Sequence, residues 1–278
     1  MSGGNDFGGE SGMTGQNGAR GQNGATVERG AAGNPRRLIG IGVGPGDPEL
    51  VTVKAVRLLG EADAVVVPVM DGAGAGRAEA TVLAHVGAEK VHRAVFALDD
   101  TGGVTARREQ AWDAAAEQVV ELFDAGASAV AFATIGDPNV YSTFTYLAAT
   151  VTGLRPEVAV STVPGITAMQ ELAARSGTVL CEGREPLTLL PMTAGLDVFE
   201  AAVAGPGTVV AYKGWRRRAD VEAVLERHDR LKDAVLGSGL GLPGEQVVPL
   251  AELPADQPLP YLSTVLVPAR RDRRGGKL

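Results

Sequence analysis

Short apolar runs closed by Gly, Pro or Asp alternate along this chain with longer stretches of helical periodicity. The run Leu38-Ile-Gly-Ile-Gly-Val43 predicts a buried strand, and Gly44-Pro-Gly-Asp-Pro48 stops it before a helical pattern over 50–59. Asp47 and Thr52 both stand where a side-chain oxygen accepts the free N–H groups of a helix start, and the pattern leaves open which one caps. A second strand covers 64–69 and a flexible Gly/Ala loop 71–76, followed by a helix over 78–86, a short strand over 90–96, a long helix over 105–125 and a buried strand over 128–134. Beyond the Gly136-Asp-Pro138 corner a helix is expected over 140–151, ended by Gly153-Leu-Arg-Pro156. The second half reads as strands over 158–163, 186–191, 208–212, 232–237, 245–249 and 261–267, with helices from the 164–168 turn, over 197–203 and over 219–227.

Apolar strand runs separated by helices need cover on both faces, which predicts an α/β fold with a largely parallel sheet in the first half. The expected division is an N-terminal α/β domain over 35–156 and a C-terminal α/β domain over 157–268, and 278 residues suffice for two such domains. Residues 1–34 break the pattern with Gly, Asn, Ser and Ala, including the near-repeat Gly15-Gln-Asn-Gly-Ala-Arg-Gly-Gln-Asn-Gly24. They carry little apolar area to offset roughly 1–2 kcal/mol of backbone entropy per ordered residue, so a disordered tail is expected. The Arg-rich stretch 269–278 reads as a solvated charged tail.

Composition narrows the function. A net charge of −7 and 4% aromatic residues argue against nucleic acid or an anionic membrane surface as partner, while leaving room for a local basic patch. Cys181, the one cysteine, excludes an intrachain disulfide framework and suits a reducing cytoplasm. The sequence has no uncharged apolar run of about 18 residues. A cytoplasmic protein is expected. His85, His92, His228 and Cys181 lack compact ligand spacing, so no protein-bound metal is expected.

The densest chemistry lies between Phe132 and Tyr146, where an apolar strand passes through Gly136-Asp-Pro138 into a run of hydroxyls. Such a strand end is where an open α/β sheet meets a small molecule. Asp137 either braces the turn or contacts the polar end of a ligand, and it is assigned here to ligand binding. Helical spacing pairs Tyr141 with Thr145 and Ser142 with Tyr146, so convergence of Tyr141, Ser142, Thr143 and Tyr146 on one atom is not to be assumed. Tyr141 is the best substrate-facing and catalytic candidate: its hydroxyl either orients a substrate or assists proton loss, though a phenol with a pKa near 10 is a poor base at neutral pH. Gly40-Ile-Gly-Val-Gly-Pro-Gly-Asp-Pro48 allows close approach of backbone to a ligand but lacks the Gly-Lys-Ser/Thr ending of a P-loop.

Taken together, Gly40 to Pro48, Gly136-Asp-Pro-Asn-Val-Tyr141 and Val163-Pro-Gly-Ile-Thr-Ala-Met169 resemble the tetrapyrrole methylases, over about residues 37–267. The segment from Gly136 to Tyr146 looks particularly like the branch of that family acting on C-20 of precorrin-2. The resemblance implies two α/β domains with S-adenosylmethionine in the cleft between them, and a homodimer. It implies that Pro45 shapes the cleft, that Ile135, Gly136, Asp137 and Val140 surround the methionine end of the cofactor, and that Thr167 and Ala168 form a second cofactor-contacting turn. It further places Tyr212 and Lys213 in the cofactor-binding segment of the second domain and Leu240 near adenine, with a contact near Pro260. Backbone carbonyls of Gly136 and its neighbours would then favour the sulfonium charge.

The implied reaction converts precorrin-2 to precorrin-3A in cobalamin biosynthesis, releasing S-adenosylhomocysteine. Tyr141, Ser142, Thr143 and Tyr146 would face this substrate, and Arg184, Lys213, Arg216 and Arg217 are candidates for its carboxylates, with Arg184 and Arg216 assigned. Cobalt-factor II is the alternative acceptor. A noncatalytic cofactor-binding regulatory module is a reading of another class. Diphthine synthase uses a related frame on a protein substrate, and the 141–146 segment argues against it.

Overall fold

The structure, a computed structural model, describes residues 35–70, 74, 76–98, 103–213, 218–254, 257, 262–273 and 275. The expected N-terminal tail, most of the 71–76 loop, Arg216, Arg217 and Pro260 lie outside these residues.

The first sheet contains β1 (Arg37–Gly42), β2 (Ala64–Val69), β3 (Val91–Val95), β4 (Ala129–Thr134) and β5 (Ala159–Val163), in the order β3-β2-β4-β1-β5. Every pairing is parallel, with Ile39 opposite Ala131 on one side of β1 and opposite Ser161 on the other. Alternate side chains serve opposite faces. Val65 and Val67 pack with α1 (Val53–Glu61) and α2 (Arg77–Leu83), whereas Val66 packs with α3 (Ala106–Asp124) and α4 (Phe144–Leu154). This double cover explains the unbroken apolar runs of β1, β2 and β4.

Where the sequence left two caps open, both are used in series. Asp47 Oδ1 accepts the Glu49 N–H at 2.8 Å at the head of a 3-10 turn over Pro48–Leu50, and Thr52 Oγ1 accepts the Ala55 N–H at 3.2 Å to start α1.

β5 departs from expectation. The sequence reading put 158–163 in the second half, but the strand pairs with β1 and completes the first sheet. The break at Gly153–Pro156 ends α4 and does not end the sheet. The helix expected from residue 140 begins at Phe144, because Tyr141 takes a left-handed backbone (φ 51°) that no helix continues through. The facing argument for Tyr141 and Thr145 therefore fails.

The second sheet joins β6 (Leu187–Pro191), β7 (Thr208–Tyr212), β8 (Val235–Ser238), β9 (Gln246–Pro249) and β10 (Ser263–Val267), in the order β6-β7-β10-β8-β9. Only β6 and β7 run parallel; the other pairs are antiparallel. α6 (Leu196–Ala204) and α7 (Arg218–Arg227) cover one face through Phe199, Val203, Val221 and Leu225. The other face receives α5 (Ala168–Ser176), where Leu172 meets Val210, Leu240 and Leu266.

The C-terminal stretch is not simply a solvated tail. Arg271 ion-pairs with Glu185, whose side chain is 1% exposed, and the Arg270 guanidinium donates to the carbonyls of His228 and Asp229. Among the described residues no helix is long and apolar enough to cross a membrane.

Candidate functional site

Three strand exits of the first sheet meet backbone to backbone. The Gly136 N–H donates to the Gly44 carbonyl at 2.8 Å. Asp137 braces the crossing, since its Oδ1 accepts from Asn139 N–H at 2.8 Å and its Oδ2 from Gly165 N–H at 3.0 Å. Of the two roles the sequence left open for this carboxylate, bracing is the one these bonds perform. A Cβ on either Gly42 or Gly165 would overlap the Gly136 carbonyl oxygen, so only hydrogens fit there. That oxygen is packed into the crossing, which leaves the expected role of this carbonyl beside a sulfonium without support. Gly136 itself has φ +72° and open space where a Cβ would stand, the nearest atom being Thr167 Cα at 3.9 Å.

The second wall is built at the head of α5. Gln170 Oε1 accepts both the N–H and the hydroxyl of Thr167, each at 2.8 Å, and the Tyr212 hydroxyl accepts the Met169 N–H at 2.9 Å. Burial pushes the Tyr212 phenol above its usual pKa. Tyr141 meets Tyr212 edge-on, with centroids 6.1 Å apart. The Lys213 ammonium lies 5.5 Å from the Tyr141 ring centroid and 3.3 Å from its carbonyl oxygen. Burial, and then the positive charge of Arg108, lower the pKa of Lys213.

Between these walls lies a cavity of about 470 Å³. Pro45, Ile135, Gly136, Asp137, Val140, Thr167, Ala168, Tyr212, Lys213 and Leu240 line it, and so do Tyr141, Ser142, Thr143 and Tyr146. Ser142 is also a brace: its hydroxyl donates to Thr134 Oγ1 at 3.1 Å and accepts the Phe144 N–H at 3.2 Å. Ala97, Tyr141 and Lys213 all have positive φ (43°, 51° and 59°) and all face the cavity. Left-handed backbone at residues other than Gly stores strain, and such strain gathers at functional sites.

Arg184 is not in the cavity. It is exposed on the connection between α5 and β6, beside the Glu185 and Arg271 pair. The sequence reading missed Arg77, Arg108 and Trp112, which line the cavity. The signal available was the four-residue spacing of Arg108 and Trp112 on the expected long helix, which puts them on one face. His85 and His228 have local tasks: a ring nitrogen of His85 lies 3.1 Å from the Pro48 carbonyl, and one of His228 lies 3.2 Å from Glu200 Oε1.

The family description "Tetrapyrrole (Corrin/Porphyrin) Methylases" matches residues 37–254. The cobalt-precorrin-2 C(20)-methyltransferase of Salmonella typhimurium is 33% identical over 233 residues, covering 83% of this chain and 95% of that protein. The precorrin-2 C(20)-methyltransferase of a Sinorhizobium species is 34% identical over 242 residues, covering 85% and 97%. A uroporphyrin-III C-methyl transferase from Thermus thermophilus, solved in complex with S-adenyl homocysteine, shares the fold with a TM-score of 0.56 at 24% identity, covering 83% of this chain and 96% of that one.

Proposed function

This chain belongs to the tetrapyrrole (corrin/porphyrin) methylases, and from that membership we propose that it transfers a methyl group from S-adenosylmethionine to C-20 of precorrin-2. The products are precorrin-3A and S-adenosylhomocysteine, on the route to cobalamin. The observation that carries this reading is the near end-to-end match to two relatives named for C-20 methylation. One is named for a cobalt-carrying acceptor and one for the metal-free form, at almost equal identity, so cobalt-factor II remains the alternative acceptor. A regulatory module without turnover is not favoured, because the match spans both sheets.

The site suits S-adenosylmethionine. Gly136 leaves its Cβ side open towards Thr167, and Ile135, Val140 and Leu240 add apolar wall. When bound, the cofactor supplies a sulfonium methyl that is already electrophilic. The protein's task is then to align donor and acceptor, and positioning alone contributes on the order of several kcal/mol. Residues 135–140 and 167–168 would hold the cofactor, with Tyr212 fixing the second turn through the Met169 N–H.

Burial raises the Tyr141 phenol above its ordinary pKa, so at neutral pH it is a hydrogen-bond donor and a poor base. Tyr141 therefore orients the macrocycle. Tyr141→Phe is expected to lower kcat/KM for the acceptor by about 3- to 10-fold, the worth of one hydrogen bond, without moving the pH profile. Steady-state kinetics at several pH values check this, and wild-type kcat and KM would remove Tyr141 from the site.

We propose a cytoplasmic homodimer with no metal of its own, a reading supported by the single cysteine and by the family resemblance. Sedimentation equilibrium tests the dimer, and a monomer contradicts it. Anaerobic incubation with labelled S-adenosylmethionine and, separately, precorrin-2, cobalt-factor II and uroporphyrinogen III tests the reaction by macrocycle mass. One methyl added selectively to precorrin-2 is expected. Preference for cobalt-factor II moves the enzyme to the metallated route, and transfer to uroporphyrinogen III alone rejects the C-20 reading.

A further inference from the structure

The first turn of α2 faces the cavity, and the groups that hold it there stand behind it. Gly76 and Ala78 line the cavity beside Pro68 and Val69 from the end of β2 and Phe96 and Ala97 from just beyond β3. Glu79 and Arg93 do not line it, yet they tie these three segments together. Glu79 Oε2 accepts the Gly76 N–H at 3.0 Å, which satisfies one of the free donors of the helix start. The Arg93 guanidinium donates to both carboxylate oxygens, from Nη2 to Oε1 at 2.7 Å and from Nε to Oε2 at 2.9 Å. Arg93 belongs to β3, opposite Val67 of β2, and its carbonyl accepts from Gln118 Nε2 of α3 at 3.2 Å.

This carboxylate differs from one in a surface ion pair. The Glu79 side chain is 8% exposed, and loss of its partner would leave a buried charge uncompensated. The Arg93 hydrogen bonds, foremost, hold the Glu79 carboxyl below the usual carboxylate range against the opposing effect of burial. It is therefore ionised at neutral pH. Gly76 in turn presses on β2, since a Cβ there would stand 2.6 Å from the Pro68 carbonyl oxygen. Further along α2, the Thr81 hydroxyl donates to the Gly46 carbonyl at 3.1 Å and His85 meets the Pro48 carbonyl, which ties the helix to the turn that carries Pro45. α2 is thus fastened along its length, and Glu79 is the fastener of the turn that faces the cavity.

We propose that Glu79, gripped by Arg93, is a positioning residue that sets residues 76–78 as the stretch of wall against which the acceptor is aligned for methyl transfer. The proposal rests on the methylase reading, which gives residues 135–140 and 167–168 to the cofactor and leaves this stretch to the acceptor. Glu79 touches neither ligand. Its effect is on alignment, where a displacement of about 1 Å can cost on the order of 100-fold in rate.

Glu79→Gln keeps the shape of the side chain and removes the charge that Arg93 grips, and Lys90→Met is the comparison. Lys90 donates to the carbonyls of Gly60 and Ala62 at 2.8 and 3.0 Å and does not line the cavity, so its loss weakens the fold without touching this wall. Methylation of precorrin-2 is measured well below the melting point of each variant. At saturating precorrin-2, kcat of Glu79→Gln should fall by about 10- to 100-fold while calorimetric affinity for S-adenosylmethionine stays within about twofold, and Lys90→Met should match wild type in both. Amide hydrogen exchange of the ligand-free protein adds a readout that needs no substrate: residues 76–83 should exchange at least about tenfold faster in Glu79→Gln, with β1 and β4 unchanged. Should Glu79→Gln not fold, Arg93→Lys, which keeps the charge without the two-pronged grip, enters the same measurements with the same direction expected. Wild-type kcat overturns the proposal, and so does a loss of S-adenosylmethionine affinity as large as the loss of kcat, which marks a general disturbance of the cavity. Unchanged exchange at residues 76–83 overturns it whatever the kcat. A wild-type protein that methylates no tetrapyrrole sinks the methylase reading, and faster exchange confined to residues 76–83 then still supports Glu79 as the fastener of this wall.

Discussion

Gly165→Ala is expected to abolish useful binding of S-adenosylmethionine while leaving most of the secondary structure in place. The added Cβ would overlap the Gly136 carbonyl oxygen and press on the Gly42 backbone. Neither neighbour is the tip of a flexible side chain that can swing aside; both are main chain at the ends of central strands. The Gly136 corner must therefore move, and with it the hydrogen bonds from Gly136 to Gly44 and from Gly165 to Asp137. Forcing extra atoms into close packing costs about 1–3 kcal/mol, occasionally more, and here the displaced segment is itself the cavity wall. Affinity for S-adenosylmethionine should fall at least about 100-fold, equivalent to about 2.7 kcal/mol, with a far-ultraviolet circular dichroism spectrum close to wild type. Gly153→Ala is the matched control, because a Cβ there, inside α4, has no atom within 4 Å. It should bind the cofactor normally and gain about 0.5–1 kcal/mol of stability. Wild-type affinity in Gly165→Ala would show that the backbone crossing does not shape the cofactor site.

Arg230→Ala is expected to be the most destabilising single change remote from the cavity. Arg230 is 3% exposed. Its Nη1 donates to Val203 O at 2.9 Å and Gly205 O at 3.4 Å, and its Nη2 donates to Gly207 O at 3.1 Å and Pro268 O at 2.8 Å. One guanidinium thus ties the end of α6 and the approach to β7 to the exit of β10. Burial lowers its pKa, but arginine stays charged at any working pH. Truncation would orphan several carbonyls, at about 1–3 kcal/mol for each one left unsatisfied. A net loss of about 3 kcal/mol would lower Tm by about 6–12 °C for a chain of this size. Arg230→Lys should recover little, because an ammonium cannot reproduce the planar fork. Below the new melting point each folded molecule should retain its turnover, since Arg230 does not line the cavity. Thermal denaturation followed by activity at low temperature checks both parts, and an unchanged Tm would contradict the clamp.

How far the sequence could be read depended on whether the deciding contact was local. β1, β2 and β4 were legible because both of their faces are buried, which leaves an uninterrupted apolar run. Thr52 and Asp47 were legible as caps because each acts within three residues of itself. The membership of β5 was not, since its pairing with β1 joins segments far apart in sequence and its edge position leaves residues 159–162 exposed. Tyr141 was misread as helical because composition carries no sign of its left-handed backbone. Arg271 looked like a tail residue because its partner, Glu185, lies 86 positions away. Within the site, the glycine corners announced themselves, whereas Arg108 and Trp112 had the right spacing but nothing local to say which way that face of α3 points. Arg184 erred in the opposite direction: a cation near an expected site proved to sit outside it.

The most direct test of the account is carbon-13 nuclear magnetic resonance of the macrocycle formed anaerobically from precorrin-2 and S-adenosylmethionine labelled at its methyl carbon. A single labelled methyl bonded to C-20, with one equivalent of S-adenosylhomocysteine released, is the predicted result. Label at any other ring carbon, or an unlabelled macrocycle recovered from protein that binds the cofactor, would contradict it.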